Sequence, residues 1–391
     1  MPGAAFDALG SWPGVLARLV DGASLFETEA ACVMGEVLDG AATPAQIAAL
    51  VVALRTKGET VGEMTGFVRA MLDHAEPLDL PGDPLDVVGT GGDRLASINV
   101  STLAALIAAG AGAQVCKHGN RAASSAVGTA DVLEAMGVVV ELGPSGVARC
   151  VAEAGMGFCF APRFHPAMRH AGPVRREIGV PTVFNFLGPL ANPARVRRQL
   201  VGVSDPAMAP KMAEVLAANG SRRAMVVHAD DGLDELSVTS ASTVLEVSRP
   251  GPGGAAGGAA GGGPGGAAGG ATGSVEVRTW RLDALDLGIP RSDMAALRGG
   301  DAAFNAAVIL AVLDGERSAR RDIGVLNAAA ALVVADRAHD LEEGVELAGA
   351  SLDTGRAREV LDTLVRVSKE EAGVEQAHRD PGASGLPSAA T

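Results

Sequence analysis

The sequence predicts an α/β fold: a small all-helical N-terminal domain followed by a large domain with a mainly parallel sheet flanked by helices. Three observations lead there. Apolar residues recur at helical spacing over residues 12–75, with no strand-like run among them. From residue 85 onward, short β-branched runs alternate with helical runs, which is the grammar of a parallel sheet. The chain has 391 residues, 48% hydrophobic and 20% charged, a length at which one core commonly gives way to two domains.

Two capping boxes punctuate the helical region. Thr43-Pro44-Ala45-Gln46 carries Pro at the first helical position, and in Thr60-Val61-Gly62-Glu63 the hydroxyl can cap the Glu63 amide while the carboxylate reaches back. The small domain is expected over 1–76, completed by a helical segment near 166–193. After a Pro-bounded linker, strands are expected over 85–88, 113–116, 138–140 and 158–160, with helices over 100–111, 129–136 and 145–154 between them. Strand character resumes at 199–203 and 224–228, so the large domain should comprise 84–165 and 194–370. Residues 250–273 are almost purely Gly, Ala and Pro, and 13 of the 52 glycines fall within 251–273. Such a composition cannot bury enough surface to order itself, which predicts a disordered insertion on a hairpin whose strands are 243–247 and 274–278. Helices are expected over 301–313, 323–335 and 341–367, and a disordered tail over 371–391.

The formal net charge of −14 opposes non-specific attraction to nucleic acid or anionic membrane. Any phosphate ligand must therefore meet local positive potential. Cys32, Cys116, Cys150 and Cys159 form no C-x-x-C pair and sit in Ala/Val-rich surroundings, so reduced core thiols are expected. The N-terminal residues lack a basic-then-apolar pattern, and no run approaches membrane-spanning length, which reads as a cytoplasmic protein.

Chemistry concentrates at the C-terminal ends of the expected strands, where open α/β sheets place ligands. Gly89-Thr90-Gly91-Gly92-Asp93 follows the first strand, and Asn99-Val100-Ser101-Thr102 opens the next helix. Glycines let backbone N–H groups turn toward an anion, and a helix N-terminus adds unpaired donors. Lys117-His118-Gly119-Asn120-Arg121-Ala122-Ala123-Ser124-Ser125 adds two permanent cations and two hydroxyls, suited to a flexible lid over pyrophosphate. Asp230-Asp231-Gly232-Leu233-Asp234-Glu235 places four carboxylates on one loop. Alone this reads as a solvated acidic turn; beside phosphate loops it suits Mg²⁺, which keeps waters and bridges to substrate phosphates. Arg175 or Arg176 could clamp a substrate carboxylate, or could be an ordinary surface arginine. His165 is given no proton-transfer role.

With these motifs assembled, the chain resembles anthranilate phosphoribosyltransferases, whose fold is shared with pyrimidine nucleoside phosphorylases. The resemblance runs from about Trp12 to Val367 and includes Phe164-His165-Pro166, Arg175-Arg176-Glu177 and Gly188-Pro189-Leu190. It implies transfer of the 5-phosphoribosyl group of 5-phosphoribosyl-1-pyrophosphate (PRPP) to the amine of anthranilate, giving N-(5-phosphoribosyl)anthranilate and pyrophosphate in tryptophan biosynthesis. By the family pattern, PRPP would be met by Gly89, Gly92, Asp93, Ser97, Asn99, Val100, Ser101, Thr102, Lys117, His118, Gly119, Asn120, Arg121, Ala122, Ala123, Ser124, Ser125 and Thr129. Ser101, Asp234 and Glu235 would ligate Mg²⁺, with two ions expected. Gly89, Asn120 and Arg175 would hold anthranilate, and Lys117, Asn120 and Arg175 would act by positioning, with no general base assigned. A homodimer is also implied. Thr129 stands where the family commonly has Ser, and Ala122-Ala123 replaces a Gly-containing pair.

Two rivals follow from the same fold. A pyrimidine nucleoside phosphorylase would read its base with an Arg followed by Ser and Lys, and no Ser or Lys occurs between Arg175 and Ser204. A non-catalytic nucleic-acid-binding relative should be basic, whereas this chain is acidic with only 3% aromatic residues for stacking.

Overall fold

The computed structural model describes residues 2–122, 127–249 and 275–379. The expected lid residues Ala123, Ser124 and Ser125, the insertion over 250–273 and the last part of the expected tail lie outside the described residues.

Five helices, Pro2–Ala8, Ser11–Val20, Glu27–Leu38, Pro44–Lys57 and Val61–Asp73, form the N-terminal bundle. Both capping boxes close as the sequence indicates: the Gln46 N–H donates to Thr43 Oγ1 at 3.3 Å, and the Glu63 N–H to Thr60 Oγ1 at 3.2 Å. Glu63 does more than cap. It is fully buried and accepts from the Leu25 N–H at 3.0 Å and from Lys57 Nζ at 3.0 Å, tying two helices and the loop before Glu27–Leu38 at one carboxylate.

The sheet has seven strands, β1 (Leu85–Gly89), β2 (Val115–Gly119), β3 (Met156–Phe160), β4 (Arg198–Gly202), β5 (Arg223–Ala229), β6 (Ser242–Ser248) and β7 (Glu276–Leu282), in the order β3-β2-β1-β4-β5-β6-β7. The first five are parallel; β6 and β7 add an antiparallel hairpin at one edge. Period-two alternation divides the core. On β5, Met225, Val227 and Ala229 join one cluster with the helices Val100–Gly110 and Ala319–Val334. Ala224 and Val226 face the other, which also holds Phe67, Val68 and Met71 of the bundle and Val174, Val183, Phe184 and Leu187 of the 162–193 segment. The bundle therefore shares one apolar core with the back of the sheet. Beyond Ser101 and Thr102 in its first turn, the helix Val100–Gly110 is apolar all round, and every residue of it except Ser101 is buried.

Three expectations are corrected. Residues 138–140 form no strand: the Val139 N–H donates instead to Ser368 Oγ at 3.0 Å, so this apolar run packs on the C-terminal helix. The single helix over 341–367 is two, Leu341–Asp353 and Arg356–Arg379, separated at Gly355 with φ 77°. The second continues through residues 371–379, where a disordered tail was expected, because Glu370 and Glu371 pair with Arg149 at 2.7 Å and Glu375 accepts from the Gly143 N–H at 2.8 Å.

Candidate active site

The C-terminal ends of β1, β2 and β4 converge under the 229–236 loop. An added Cβ on Gly89 would lie 2.6 Å from Asp234 Oδ2, and one on Gly202 would lie 1.6 Å from the Asp234 carbonyl oxygen. Only glycine lets the acidic loop sit directly on the strand ends. Gly91 and Gly92 turn with φ 65° and 82°, and the Gly91 N–H donates to Asp234 Oδ2 at 2.7 Å. Arg94 and Ala96 continue the turn in the left-handed region, φ 61° and 51°, where side chains cost roughly 1–2 kcal/mol. Backbone pairing holds this strained segment: Gly299 N–H to Ala96 oxygen at 2.7 Å, and Ile98 N–H to Leu297 oxygen at 3.0 Å beside the Ser97–Arg298 bridge.

The four carboxylates of the acidic loop divide into two pairs with different work. Asp230 pairs with Arg281 at the surface, and Asp231 accepts from Ser237 Oγ at 2.6 Å and from Thr239, closing its own loop. Asp234 and Glu235 turn inward and are buried. Burial and the neighbouring Asp93 push the Asp234 carboxyl up to about 8, and burial and Asp234 push Glu235 well above the usual carboxylate range. Two adjacent carboxyls that resist ionisation are a site short of positive charge, and with the Ser101 hydroxyl nearby their hard oxygen donors fit Mg²⁺. Among the described residues no three acidic, His or Cys side chains form a closed metal cage.

Lys117 is the cation this set already holds. It is 1% exposed, and its Nζ donates to the Val87 carbonyl oxygen and to Ser101 Oγ at 3.1 Å. Burial pulls its pKa down, while Asp86, Glu235 and Asp234 oppose that. The buried Asp86 accepts from the His118 N–H at 3.1 Å and from Asn192 Nδ2 at 2.9 Å. His118 packs 5.2 Å from His165, ring centre to ring centre, and burial drives it down to about 3, so it stays neutral.

Asn99 starts the buried helix; its Oδ1 accepts from Asn305 Nδ2 at 2.9 Å, which fixes which end of the amide is left for a ligand. Thr102 is fully buried with its Oγ1 lacking any partner, an orphan donor of the kind a bound anion satisfies. Val100 is buried beside it, and Gly119 packs so closely that a Cβ would meet Phe158 at 2.9 Å and Thr129 at 3.3 Å.

The remaining expected residues are placed differently. Asn120 Oδ1 accepts from the Arg121 N–H at 2.7 Å. Arg121 is exposed and committed to Glu134 and Glu141 while stacking 5.3 Å over Phe160, so its guanidinium is already partnered by carboxylates. The Ala122 and Gly128 N–H groups both donate to Asp131 Oδ2, at 3.0 and 2.9 Å, which draws these two backbone positions together. Arg175, on the helix Gly172–Ile178, is half-buried, stacks 5.4 Å over Phe184 and makes no hydrogen bond or ion pair with the described residues. Burial lowers its pKa, while Arg176 is exposed. Sequence reasoning missed three supports: Asn305, the Asp86–Asn192 pair, and Ser204, whose Oγ donates to the Gly91 oxygen at 2.8 Å and whose N–H donates to Thr90 Oγ1 at 3.1 Å.

Comparison with known proteins identifies the family. Residues 82–255 and 264–358 match the family described as "Glycosyl transferase family, a/b domain", and residues 13–75 its "helical bundle domain". The chain is 51% identical to the anthranilate phosphoribosyltransferase of Thermomicrobium roseum, over 92% of this chain and 98% of that one. The crystal structure of the Thermus thermophilus anthranilate phosphoribosyltransferase superposes with TM-score 0.80 at 40% identity, covering 91% of this chain and 99% of that one. The Saccharomyces cerevisiae enzyme, solved in complex with PRPP and Mg, gives TM-score 0.78 at 25% identity, covering 92% and 98%. These matches favour neither the nucleoside phosphorylase nor the nucleic-acid-binding alternative. With its helical bundle, its parallel sheet and its glycine loop seated under Asp234, this chain belongs to the anthranilate phosphoribosyltransferase family.

Proposed function

We propose that this chain transfers the 5-phosphoribosyl group of PRPP to the amine of anthranilate at the C-terminal ends of β1 and β2, giving N-(5-phosphoribosyl)anthranilate and pyrophosphate in tryptophan biosynthesis. The observation that carries this reading is the buried Asp234–Glu235 pair linked to Ser101 and Lys117 beneath a turn of backbone N–H groups. Ser101, Asp234 and Glu235 would hold Mg²⁺, with two ions proposed. When bound, Mg²⁺ neutralises pyrophosphate oxygens as the leaving group gathers charge.

The chain's own residues do the rest. Lys117 presents a desolvated cation, where charge stabilisation is strongest. The 89–93 turn, Ser97, and Asn99 to Thr102 offer N–H, amide and hydroxyl donors to phosphate oxygens, with the orphaned Thr102 hydroxyl among them. Residues 117–125 and Thr129 would complete the PRPP contacts, Arg121 doing so only after leaving Glu134. Arg175, stacked and without an acid partner among the described residues, suits a carboxylate, and with Gly89 and Asn120 is assigned to anthranilate. Anthranilate's arylamine is neutral near pH 7 and needs no strong base; His118, driven to about 3, could not serve as one. Catalysis is by positioning and leaving-group stabilisation.

No described helix is long and apolar enough to cross a membrane; a cytoplasmic homodimer is proposed, its association supported by the exposed Val20 and Phe26 on the bundle. Pyrophosphate release tests the function. It should match anthranilate consumption one for one and fall sharply in Asp234→Asn and Glu235→Gln; release independent of anthranilate would refute the assignment.

A further inference from the structure

A cavity of about 600 Å³ lies on the bundle side of the sheet, toward the N-terminal ends of β4 and β5 and away from the glycine loop. Arg69 and Asp73 reach it from the bundle, Asn192 and Arg195 from the connecting segment, and Arg197, Asn219, Ser221 and Arg249 from the large domain.

Its charge is anomalous for this protein. Four arginines line it against a single carboxylate, Asp73, in a chain of net charge −14. Arg69 and Arg195 already have acidic partners, Glu27 and Asp73. Arg197 and Arg249 touch only backbone oxygens, Nε to Gly220 at 3.1 Å and an Nη to Ala217 at 3.4 Å, and each leaves most of its donors unused. The uncharged lining repeats the pattern. Asn219 Nδ2 is buried with no partner, and the Ser221 hydroxyl, on a buried residue, makes no hydrogen bond among the described residues. Unpaired guanidinium, amide and hydroxyl donors around one concave space form a receptor for oxyanions. The volume exceeds that of inorganic phosphate and falls in the range of small-metabolite pockets.

We propose that this cavity is an effector site for a small organic ligand carrying two phosphates, held by Arg197, Arg249, Asn219 and Ser221. Because its walls come from both domains, such a ligand bridges them. Asn192 supplies the physical line to the reaction: it lines the cavity and donates to Asp86 Oδ2, whose Oδ1 receives the His118 N–H next to Lys117. Occupancy that shifts Asn192 therefore reaches the catalytic strand through two hydrogen bonds.

The test is isothermal calorimetry on the full chain with two probes, fructose 1,6-bisphosphate and ADP, which separate a sugar bisphosphate from a nucleotide. Each is titrated into free protein and into protein saturated with PRPP and Mg²⁺. The second arm rests on the proposed function; the first does not, so the two readings fail separately. At least one probe should bind with a Kd below about 1 mM in both arms. Arg197→Gln/Arg249→Gln should weaken it roughly tenfold or more, with kcat in the absence of probe unchanged. Asn219→Asp, nearly isosteric, should also weaken it by placing a carboxylate against the ligand. Absence of binding by both probes, displacement by PRPP, or unaltered affinity in folded variants would overturn the proposal.

Discussion

Gly202→Ala isolates the contact on which the acidic loop depends. The new Cβ would sit 1.6 Å from the Asp234 carbonyl oxygen and 2.6 Å from its carbon, both backbone atoms that cannot rotate away. Non-bonded contacts settle near about 3.5 Å, so the loop must retreat by about 2 Å. Overpacking of this kind destabilises by roughly 1–3 kcal/mol. The kinetic effect is larger, because a displacement of about 1 Å in a positioning group can lower a rate roughly 100-fold, and here Asp234 and Glu235 move together. We expect kcat/KM for PRPP to fall about 100-fold or more, with a raised Mg²⁺ requirement, measured by initial rates over a Mg²⁺ and PRPP grid beside urea unfolding. Gly349→Ala is the control: its helical site has no atom within 4 Å of the new Cβ, so it should gain up to about 1 kcal/mol and leave kinetics alone. Near wild-type kinetics in Gly202→Ala would refute the claim that close seating of this loop builds the site.

Further expectations test other parts. Lys117→Met leaves Asp86, Asp234 and Glu235 without their buried cation and should lose about 3–5 kcal/mol in urea unfolding, partly restored by Mg²⁺. Asp234 is raised to about 8 in the fold, so the folded chain binds more protons than the unfolded one above the ordinary carboxylate range. Metal-free stability should therefore fall as pH rises toward about 8, and the Mg²⁺-induced increase in Tm should grow over the same window; equal increases at both ends would contradict this. Arg175→Ala should raise the anthranilate KM roughly tenfold or more with little change in the PRPP KM. Deleting residues 251–273 should leave kcat and KM unchanged, since β6 and β7 pair through Ser248 and Glu276 and a short loop can join them.

Local grammar was legible in the sequence where one side chain decides it. The boxes at Thr43 and Thr60 depend on residues three apart, and the glycine loop and Asn99 helix start were readable for the same reason. Boundaries failed where partners lie far along the chain. The sequence reading ends β2 near Cys116, because Lys117 and His118 look like loop residues; the strand carries both into the interior, where Val87, Ser101 and Asp86 receive them. Residues 138–140 have strand composition, but their neighbour is a helix. At the site, the residues alone show four equivalent carboxylates on one loop; only the family resemblance sets Asp234 and Glu235 apart and joins them to Ser101, and it assigns Lys117 to PRPP rather than to the metal. Asp230 and Asp231 differ from their neighbours only in facing Arg281 and Ser237, contacts that no spacing encodes. Asn305, Ser204 and Asn192 are ordinary polar residues whose roles exist only through partners some 100 to 200 positions away.

The most direct measurement mixes the purified chain with PRPP, Mg²⁺ and anthranilate and follows anthranilate fluorescence, with each component omitted in turn. Fluorescence should be lost rapidly only when all three are present, and the loss should be strongly attenuated in Asp234→Asn. Persistent fluorescence with folded protein, or loss without PRPP, would contradict the proposed function.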